Sequence, residues 1–470
     1  MTPLSLTMAD IAAAVEGCVV AGDPAALART FTTDTRALRD GDVFVALAGP
    51  RFDGNAFAAE ALRAGAAAVI VDDAGGRLAG RQGPAGPAVI VVPETVRALQ
   101  MLARHVRRAS GTTVICLTGS AGKTTTKECI AAFLETRYSV VRNKGNLNNH
   151  IGLPLSLLQL VERPQMAVME LGMNHAGEIS TLVAIAEPDV RVFTNVGDAH
   201  IEFFGSRDGI ADAKAEIFEG ATRDHLLVCN ADDALIMVRQ PRFAGRTVTF
   251  GIEQPADVRA GDVEDLGIDG SRAVVATRAG IRTVTTPLIG RGNLQNVLAA
   301  IAVAQELGVP LDDIVAAAAR LLPSDHRGVV MRLKGGVTVI DDSYNSSPAA
   351  LEQSLGVVAR ETRAARKVAV LGEMLELGAR SGELHERCGR AAAGAGLAQL
   401  VTVGGNPARA FANAAVVAGM PASAVQHVAT SDEAAGLVKA ILRPGDLVLV
   451  KGSRGIRTDR VVDRIRTEFA

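Results

Sequence analysis

Short runs of β-branched and apolar residues recur along the chain, and stretches with helical spacing separate them. The runs at 113–117, 167–171, 190–196 and 226–229 are almost continuously apolar, the pattern of strands buried on both faces of a parallel sheet. The helical stretches between them predict βαβ units. Before these, runs at 43–47 and 68–71 flank a helix-like segment at 56–64, and the Gly/Pro-rich segment 75–87 predicts a loop. A helical pattern over 96–109 opens the middle of the chain. Beyond Gly251 the period shifts to alternation, at 273–276 and 282–285, which predicts a small antiparallel insert. Runs at 337–340, 367–371, 400–403 and 447–450 alternate with Ala-rich helical segments and predict a second doubly wound unit. The pattern divides the chain into three blocks, 1–95, 96–326 and 327–470.

Length agrees: 470 residues exceed one ordinary core and suggest about three domains. Apolar residues at 48% and charged residues at 21% place the chain among folded rather than disordered proteins. Lys and Arg total 49 against 51 Asp and Glu, so no global charge attracts a nucleic acid. The absence of Trp and the presence of only 2 Tyr argue against base-stacking platforms as well. Cys18, Cys116, Cys129, Cys229 and Cys388 are scattered, with no Cys-x-x-Cys, so neither a disulfide framework nor a thiolate zinc site is expected. The first residues lack a basic region before an apolar stretch and do not read as a signal peptide. The uncharged stretches 391–408 and 410–431 are rich in Ala and interrupted by Gly, Asn, Pro and Gln, which predicts packed elements and no membrane span. A cytoplasmic location is the expectation.

The chemistry begins at Thr118-Gly119-Ser120-Ala121-Gly122-Lys123-Thr124-Thr125, which follows an apolar strand and precedes a helix. Glycines let backbone N–H groups turn toward phosphate oxygens, the helix N-terminus adds partial positive charge, and Lys123 adds a full one. Thr124 offers a hydroxyl to Mg²⁺. The general pattern places four residues between its glycines, which would require Gly where Leu117 stands; here two residues separate Gly119 from Gly122.

This short loop resembles that of the Mur ligase family, whose members extend the peptidoglycan precursor by an amino acid or dipeptide, and the resemblance spans the chain. It implies an α/β protein of three domains. These are a smaller N-terminal α/β domain, a central P-loop ATPase-like parallel sheet and a C-terminal Rossmann-like doubly wound domain. In the first block, Thr33-Asp34-Thr35-Arg36 matches the uridine-nucleotide domain, and the resemblance carries precursor contacts onto Asp34 and Arg36. An Arg can fork onto diphosphate oxygens; read without the resemblance, the pair is a surface turn with an internal ion pair. In the second block, Asn146 and Asn149 lie in an Asn-rich segment implied to face the precursor and phosphates. The resemblance implies two Mg²⁺ ions, held by Thr124, Glu170, His200 and a carbamylated Lys214. Glu170 ends a predicted buried strand, where ligands gather in such sheets. Without the resemblance, Lys214 would read as an exposed helical lysine paired with a nearby carboxylate. Catalytic roles fall on Lys123, Lys214 and His200.

ATP contacts are implied for Gly119, Ser120, Ala121, Gly122, Lys123, Thr124 and Thr125. Asn293, Asn296, Arg327 and Asp342 join them. Two departures stand out: Gly292 where relatives usually have His, and His326 where most have Gly. Within the family, Asp341-Asp342-Ser343-Tyr344-Asn345 and Met374-Leu375-Glu376-Leu377-Gly378 favour a member that adds D-alanyl-D-alanine to a UDP-N-acetylmuramoyl-tripeptide. The member adding the third residue typically carries Asp-Asn-Pro-Arg, and the nearest string here is Gly405-Asn406-Pro407-Ala408. The expectation is a monomeric, ATP-dependent ligase. A family member with another acceptor, or a regulatory module that hydrolyses ATP without forming a bond, are the rival readings.

Overall fold

The computed structural model describes residues 2–49, 52–72 and 83–470; most of the loop expected at 75–87 lies outside them. Three mixed sheets follow one another along the chain. The first runs in the order Cys18–Ala21, Ala88–Val91, Ala68–Val71, Val43–Val45, Phe31–Thr32, parallel except at its first pair. A helix at Thr95–Ser110 leads out of it. The Glu94 carboxylate caps its start by accepting from the N–H groups of Val96 and Arg97, and Gly111 ends it at φ +69°. Its buried Leu99, Leu102 and Val106 share one apolar cluster with Ile11 and Ile70 of the first block and with Cys116 and Met169 of the second. That helix therefore binds the first sheet to the second.

The second sheet has nine strands, and Thr113–Thr118 lies between Met166–Glu170 and Val190–Phe193, parallel to both. All-apolar runs make these strands because both faces are covered by helices. The alternating segment forms three strands, Val258–Asp265, Ser271–Thr277 and Gly280–Thr286. It is not a separate insert: Phe250 pairs with Val258, so the antiparallel strands extend the same sheet, which is therefore mixed. The third sheet runs Val329–Arg332, Thr338–Asp342, Asp446–Lys451, Arg366–Gly372, Gln399–Val403, Val425–Val428, parallel after its first pair.

Charged pairs join the second and third blocks. Asp269 meets Arg332 at 2.6 Å and also Arg363, and Asp265 meets Arg360 at 2.6 Å. Glu361, 3% exposed, binds Arg363 at 2.6 Å, and that guanidinium holds its carboxyl down at about 2. The helix Arg291–Glu306 approaches Pro348–Arg360 at two glycines. A Cβ on Gly290 would stand 2.9 Å from Val357, and one on Gly292 would stand 2.3 Å from Gln353 Oε1.

Candidate active site

The phosphate loop is held by its neighbours before any ligand arrives. Gly122 starts the helix Lys123–Leu134 at φ +75° and offers no side-chain cap, so the first N–H groups point outward as an anion cradle. Substitution would fill the space: a Cβ on Gly122 would meet Asn296 Oδ1 at 2.5 Å, and one on Gly119 would meet Thr194 Oγ1 at 1.9 Å. Asn195 clamps the loop twice, accepting from Ala121 N at 2.9 Å and donating to Ala121 O at 2.9 Å. Ser120 N donates to Asn195 O at 3.0 Å. Thr125 is buried behind the loop.

Two ammonium groups converge on one carbonyl. Lys123 Nζ donates to Gly119 O at 2.9 Å, and Lys214 Nζ donates to the same oxygen at 3.1 Å. Lys214 closes the helix Arg207–Ala215 and is 1% exposed, so it is not the exposed helical lysine of the alternative reading. Burial pushes its pKa well below the ordinary lysine value, and Lys123 pushes it further; Glu170 opposes both. Burial also lowers Lys123, with Arg327 adding to the effect and Glu170 opposing it. Glu170 ends the strand Met166–Glu170. It accepts from Thr124 Oγ1 at 2.7 Å and from Asn148 Nδ2 at 2.8 Å. His200 adopts φ +64°, an unusual backbone for a residue with a Cβ. Its Nδ1 lies 2.6 Å from Glu376 Oε2 of the third block but makes no aligned hydrogen bond. That proximity lowers the Glu376 pKa.

The other wall comes from the third block. Arg327 stacks over the Tyr344 ring at 3.7 Å. The preceding His326 takes φ +58°, the conformation a glycine would adopt freely, and Asp341 holds its Nδ1 at 2.8 Å. Asp342 accepts from Lys451 Nζ at 2.7 Å and from Ser354 Oγ at 2.8 Å. Back in the second block, Asn293 donates to Ile289 O at 2.8 Å, and Asn296 donates to Asn293 Oδ1 at 3.1 Å while accepting from Thr126 Oγ1 at 3.1 Å. Between the walls lies a cleft of about 730 Å³.

Ser120 through Thr125, Asn146, Asn149, Glu170, His200, Asn293, Asn296, Arg327 and Asp342 all line this cleft. Gly119 and Lys214 stand behind it, joined by the shared carbonyl. Asn149 also stabilises the start of a short helix, accepting from Gly152 N at 2.8 Å. Asp34 and Arg36 are outside the lining; they pair with each other at 2.7 Å on the surface of the first block. The Arg36 guanidinium holds the Asp34 carboxyl at about 2. Three residues of this arrangement were not singled out from the sequence: Asn148, Asn195 and Lys451. Asn148 sits in the Asn-rich segment read above, Asn195 within the run 190–196 and Lys451 just beyond the run 447–450, but such a pattern does not say which of its side chains faces inward.

The donor set fits a hard divalent cation. Glu170 and the Thr124 hydroxyl are oxygen donors 2.7 Å apart at the helix start, and His200 leaves a buried ring nitrogen without a hydrogen-bond partner. Among the described residues no group of three His, Cys, Asp or Glu side chains could hold a metal. An ion held by one carboxylate and one hydroxyl would complete its shell with water or substrate oxygens. No helix among the described residues is long and apolar enough to cross a membrane.

Comparison with known proteins places this geometry. Residues 29–107 match the Mur ligase family catalytic domain, 117–304 the Mur ligase middle domain, and 326–454 the Mur ligase glutamate ligase domain. A Bacillus subtilis UDP-N-acetylmuramoyl-tripeptide–D-alanyl-D-alanine ligase is 36% identical over 92% of this chain and 91% of its own. The Escherichia coli enzyme of the same name is 35% identical over 92% of each chain. Among solved structures, MurF from Acinetobacter baumannii superposes with a TM-score of 0.85 at 31% identity, covering 99% of this chain and 100% of that one. MurF ligase from Thermotoga maritima, in complex with ADP, superposes with a TM-score of 0.80 at 33% identity, covering 94% and 97%.

Proposed function

This chain belongs to the Mur ligase family, and we propose that it joins D-alanyl-D-alanine to the terminal carboxylate of UDP-N-acetylmuramoyl-tripeptide, converting ATP to ADP and phosphate. The observation that carries the chemistry is the convergence of Lys123, Lys214 and Glu170 on the phosphate loop.

The precursor carboxylate attacks the γ-phosphorus of ATP, the bond to the ADP oxygen breaks, and an acyl phosphate forms. Two anions meet in this step. Lys123 and the loop N–H groups offset their repulsion and stabilise the equatorial phosphoryl oxygens. The dipeptide amine then attacks the acyl carbon, phosphate leaves, and the nitrogen loses a proton to give the amide. The cleft between the second and third blocks keeps water from the acyl phosphate.

Thr124, Glu170 and His200 would hold Mg²⁺, with a carbamylated Lys214 supplying the missing anionic group; two ions are the reading we favour. Magnesium there would supply positive charge to the phosphoryl oxygens. The depressed pKa of Lys214 supports carbamylation, because a neutral amine can add to CO₂, forming an N–C bond and releasing a proton. Lys214→Ala should lose about 100-fold in activity, with partial recovery in added formate or acetate; full activity without rescue refutes the role.

We assign 1–95 to the uridine-nucleotide end of the precursor, with Asp34 and Arg36 as contacts, and Asn146 and Asn149 to its course toward the phosphates. Residues 96–326 hold ATP, joined by Arg327 and Asp342 of 327–470, which also receives the dipeptide. The site is completed within one chain, which supports a monomer. Its use of ATP supports a cytoplasmic setting. The deciding experiment is phosphate release with the tripeptide precursor, offering D-alanyl-D-alanine or single amino acids and identifying products by mass spectrometry. A pentapeptide product with the dipeptide is expected. Phosphate release without any amide product would overturn the reading.

A further inference from the structure

The turn that follows the strand Arg366–Gly372 carries the third block against the second at His200. Glu376, at φ +63°, brings Oε2 to 2.6 Å from His200 Nδ1, and its carbonyl accepts from Glu202 N at 3.4 Å. Gly378 lies against the same segment, where an added Cβ would stand 3.1 Å from Glu202 Cβ. These contacts form only if residues 373–376 keep one course out of the sheet.

Three consecutive backbone N–H groups fix that course, each through a partner on a different element. Glu373 N donates to Val403 O at 2.8 Å, on the neighbouring strand. Leu375 N donates to Ser453 Oγ at 3.0 Å. Between them, Met374 N donates to Nε2 of His385 at 2.9 Å. A carbonyl and a hydroxyl keep their state at every working pH. A ring nitrogen does not, because it accepts only while it carries no proton.

His385 sits in the helix Ser381–Ala393, and both it and Met374 are fully buried. A donor left unpaired in such a place is costly. The second ring nitrogen settles the tautomer. Nδ1 lies 2.7 Å from the Ser381 carbonyl oxygen, which only accepts, so the proton is on Nδ1 and Nε2 is the acceptor. The Ser381 hydroxyl stands 3.3 Å from the same nitrogen. Burial lowers the ring pKa from its ordinary 6.5; the bond to Ser381 opposes this, as does Glu373, the one charged group acting on the ring among the described residues. His385 is not part of the cleft lining. It acts on the cleft only through the turn.

We propose that His385 is a positioning residue: its neutral ring holds Met374 N–H and thereby the turn that brings Glu376 to His200 and Glu202, so turnover requires this ring unprotonated although no reactant touches it. Protonation puts an N–H where the Met374 N–H already points. Two donors then face each other, and the turn must move. The folded protein takes up this proton less readily than the unfolded chain does. The contribution is therefore complete above 6.5 and is lost as pH falls through the lower folded value. The kinetic readout below rests on the ligase reading; the exchange readout does not.

The test uses His385→Gln, whose amide oxygen accepts from Met374 N without titrating, and His385→Leu, which keeps bulk but offers no acceptor. At about pH 8 the Gln protein should keep kcat within about 3-fold of wild type, and the Leu protein should lose about 10-fold, the scale of one buried donor left unpaired. The KM for ATP should not move. From about pH 8 to about pH 5.5, the ratio of wild-type to Gln kcat should fall about 10-fold, because titrating groups common to both proteins cancel in it. Hydrogen exchange, corrected for its intrinsic pH dependence, should show residues 373–377 and 200–204 opening together over that range in the wild type but not in the Gln protein. A constant ratio overturns the role, as does a Leu protein with wild-type kcat. Where the substitutions prevent folding, the wild type alone decides. A ring found by nitrogen NMR to carry its proton on Nε2 at about pH 8, or protection of 373–377 that does not change with pH, overturns it. If the wild type forms no amide product at any pH, the ligase reading fails instead, and the exchange result still decides the role of His385.

Discussion

The two walls of the cleft are built on opposite plans. On the central side the groups around the phosphate loop are already bonded within the protein, although His200 Nδ1 there has no aligned partner. Both lysine ammoniums rest on Gly119 O, Asn195 clamps Ala121 from two directions, and Thr124 and Asn148 both bond Glu170. On the C-terminal side, Ser346 Oγ is unpartnered and Arg454 is loosely paired. Among the described residues, the Gln353 amide has no hydrogen bond of its own. Phosphoryl transfer explains the contrast. Its charges develop in the same place every turnover, so fixed donors are worth most when they need no rearrangement. Recognition of an acceptor instead uses groups that stay unsatisfied until the right partner arrives, because the wrong partner then leaves them buried and unpaired.

Removing the pre-set charge should break the contrast most. Lys123→Ala is expected to lower ligation by about 1,000-fold or more, measured as phosphate release, while calorimetry still detects the uridine precursor. Near-normal ligation would show that the loop charge is not what the central wall contributes. Next comes the tightness of that wall. Gly119→Ala places a methyl group 1.9 Å from the hydroxyl of Thr194, a buried and β-branched neighbour that cannot swing away. A loss of about 2–3 kcal/mol in unfolding free energy is expected, together with loss of nucleotide binding.

The C-terminal wall should respond more gently, through its attachment. Glu361 holds Arg363, which also reaches Asp269 of the second block. Its carboxyl is depressed from 4.5 to about 2, chiefly by the hydrogen bonds from Arg363. A depressed folded pKa stabilises above pH 4.5, and the stabilisation fades as pH falls toward 2. Glu361→Gln should therefore cost about 2 kcal/mol at pH 7 and progressively less on acidification, followed by denaturant unfolding across that range. An unchanged difference at pH 3 would assign the effect to packing instead. The smallest effect is expected at Gly292→Ala. The nearest atom there is the mobile end of Gln353, and Ala favours the helix. A change within about 1 kcal/mol of stability would separate this contact between the second and third blocks, where a mobile side chain yields, from the rigid surroundings of Gly119 by the same chemical substitution.

How much could be read beforehand follows from range. The strands 68–71 and 113–118 stand out because full burial demands unbroken apolar runs, and the phosphate loop stands out because its parts are contiguous. Short or half-buried strands such as Val140–Arg142, Val329–Arg332 and Val425–Val428 carried no such signal, since partly exposed positions tolerate many side chains. The alternating segment was read correctly as antiparallel, but nothing local said that Phe250 would pair with Val258 and make it part of the central sheet.

By itself, the sequence determined the fully buried strands, the phosphate cradle and the kind of side chains gathered around it, because those depend on neighbours within a few residues. Only the tertiary structure decided that Lys214 is buried against the carbonyl that Lys123 also uses, 95 positions from Gly119. It alone put Glu376 beside His200 and the His385 ring against Met374 N. The physical reason is that burial and proximity set protonation and pairing, and both depend on segments that the chain brings together only when it folds.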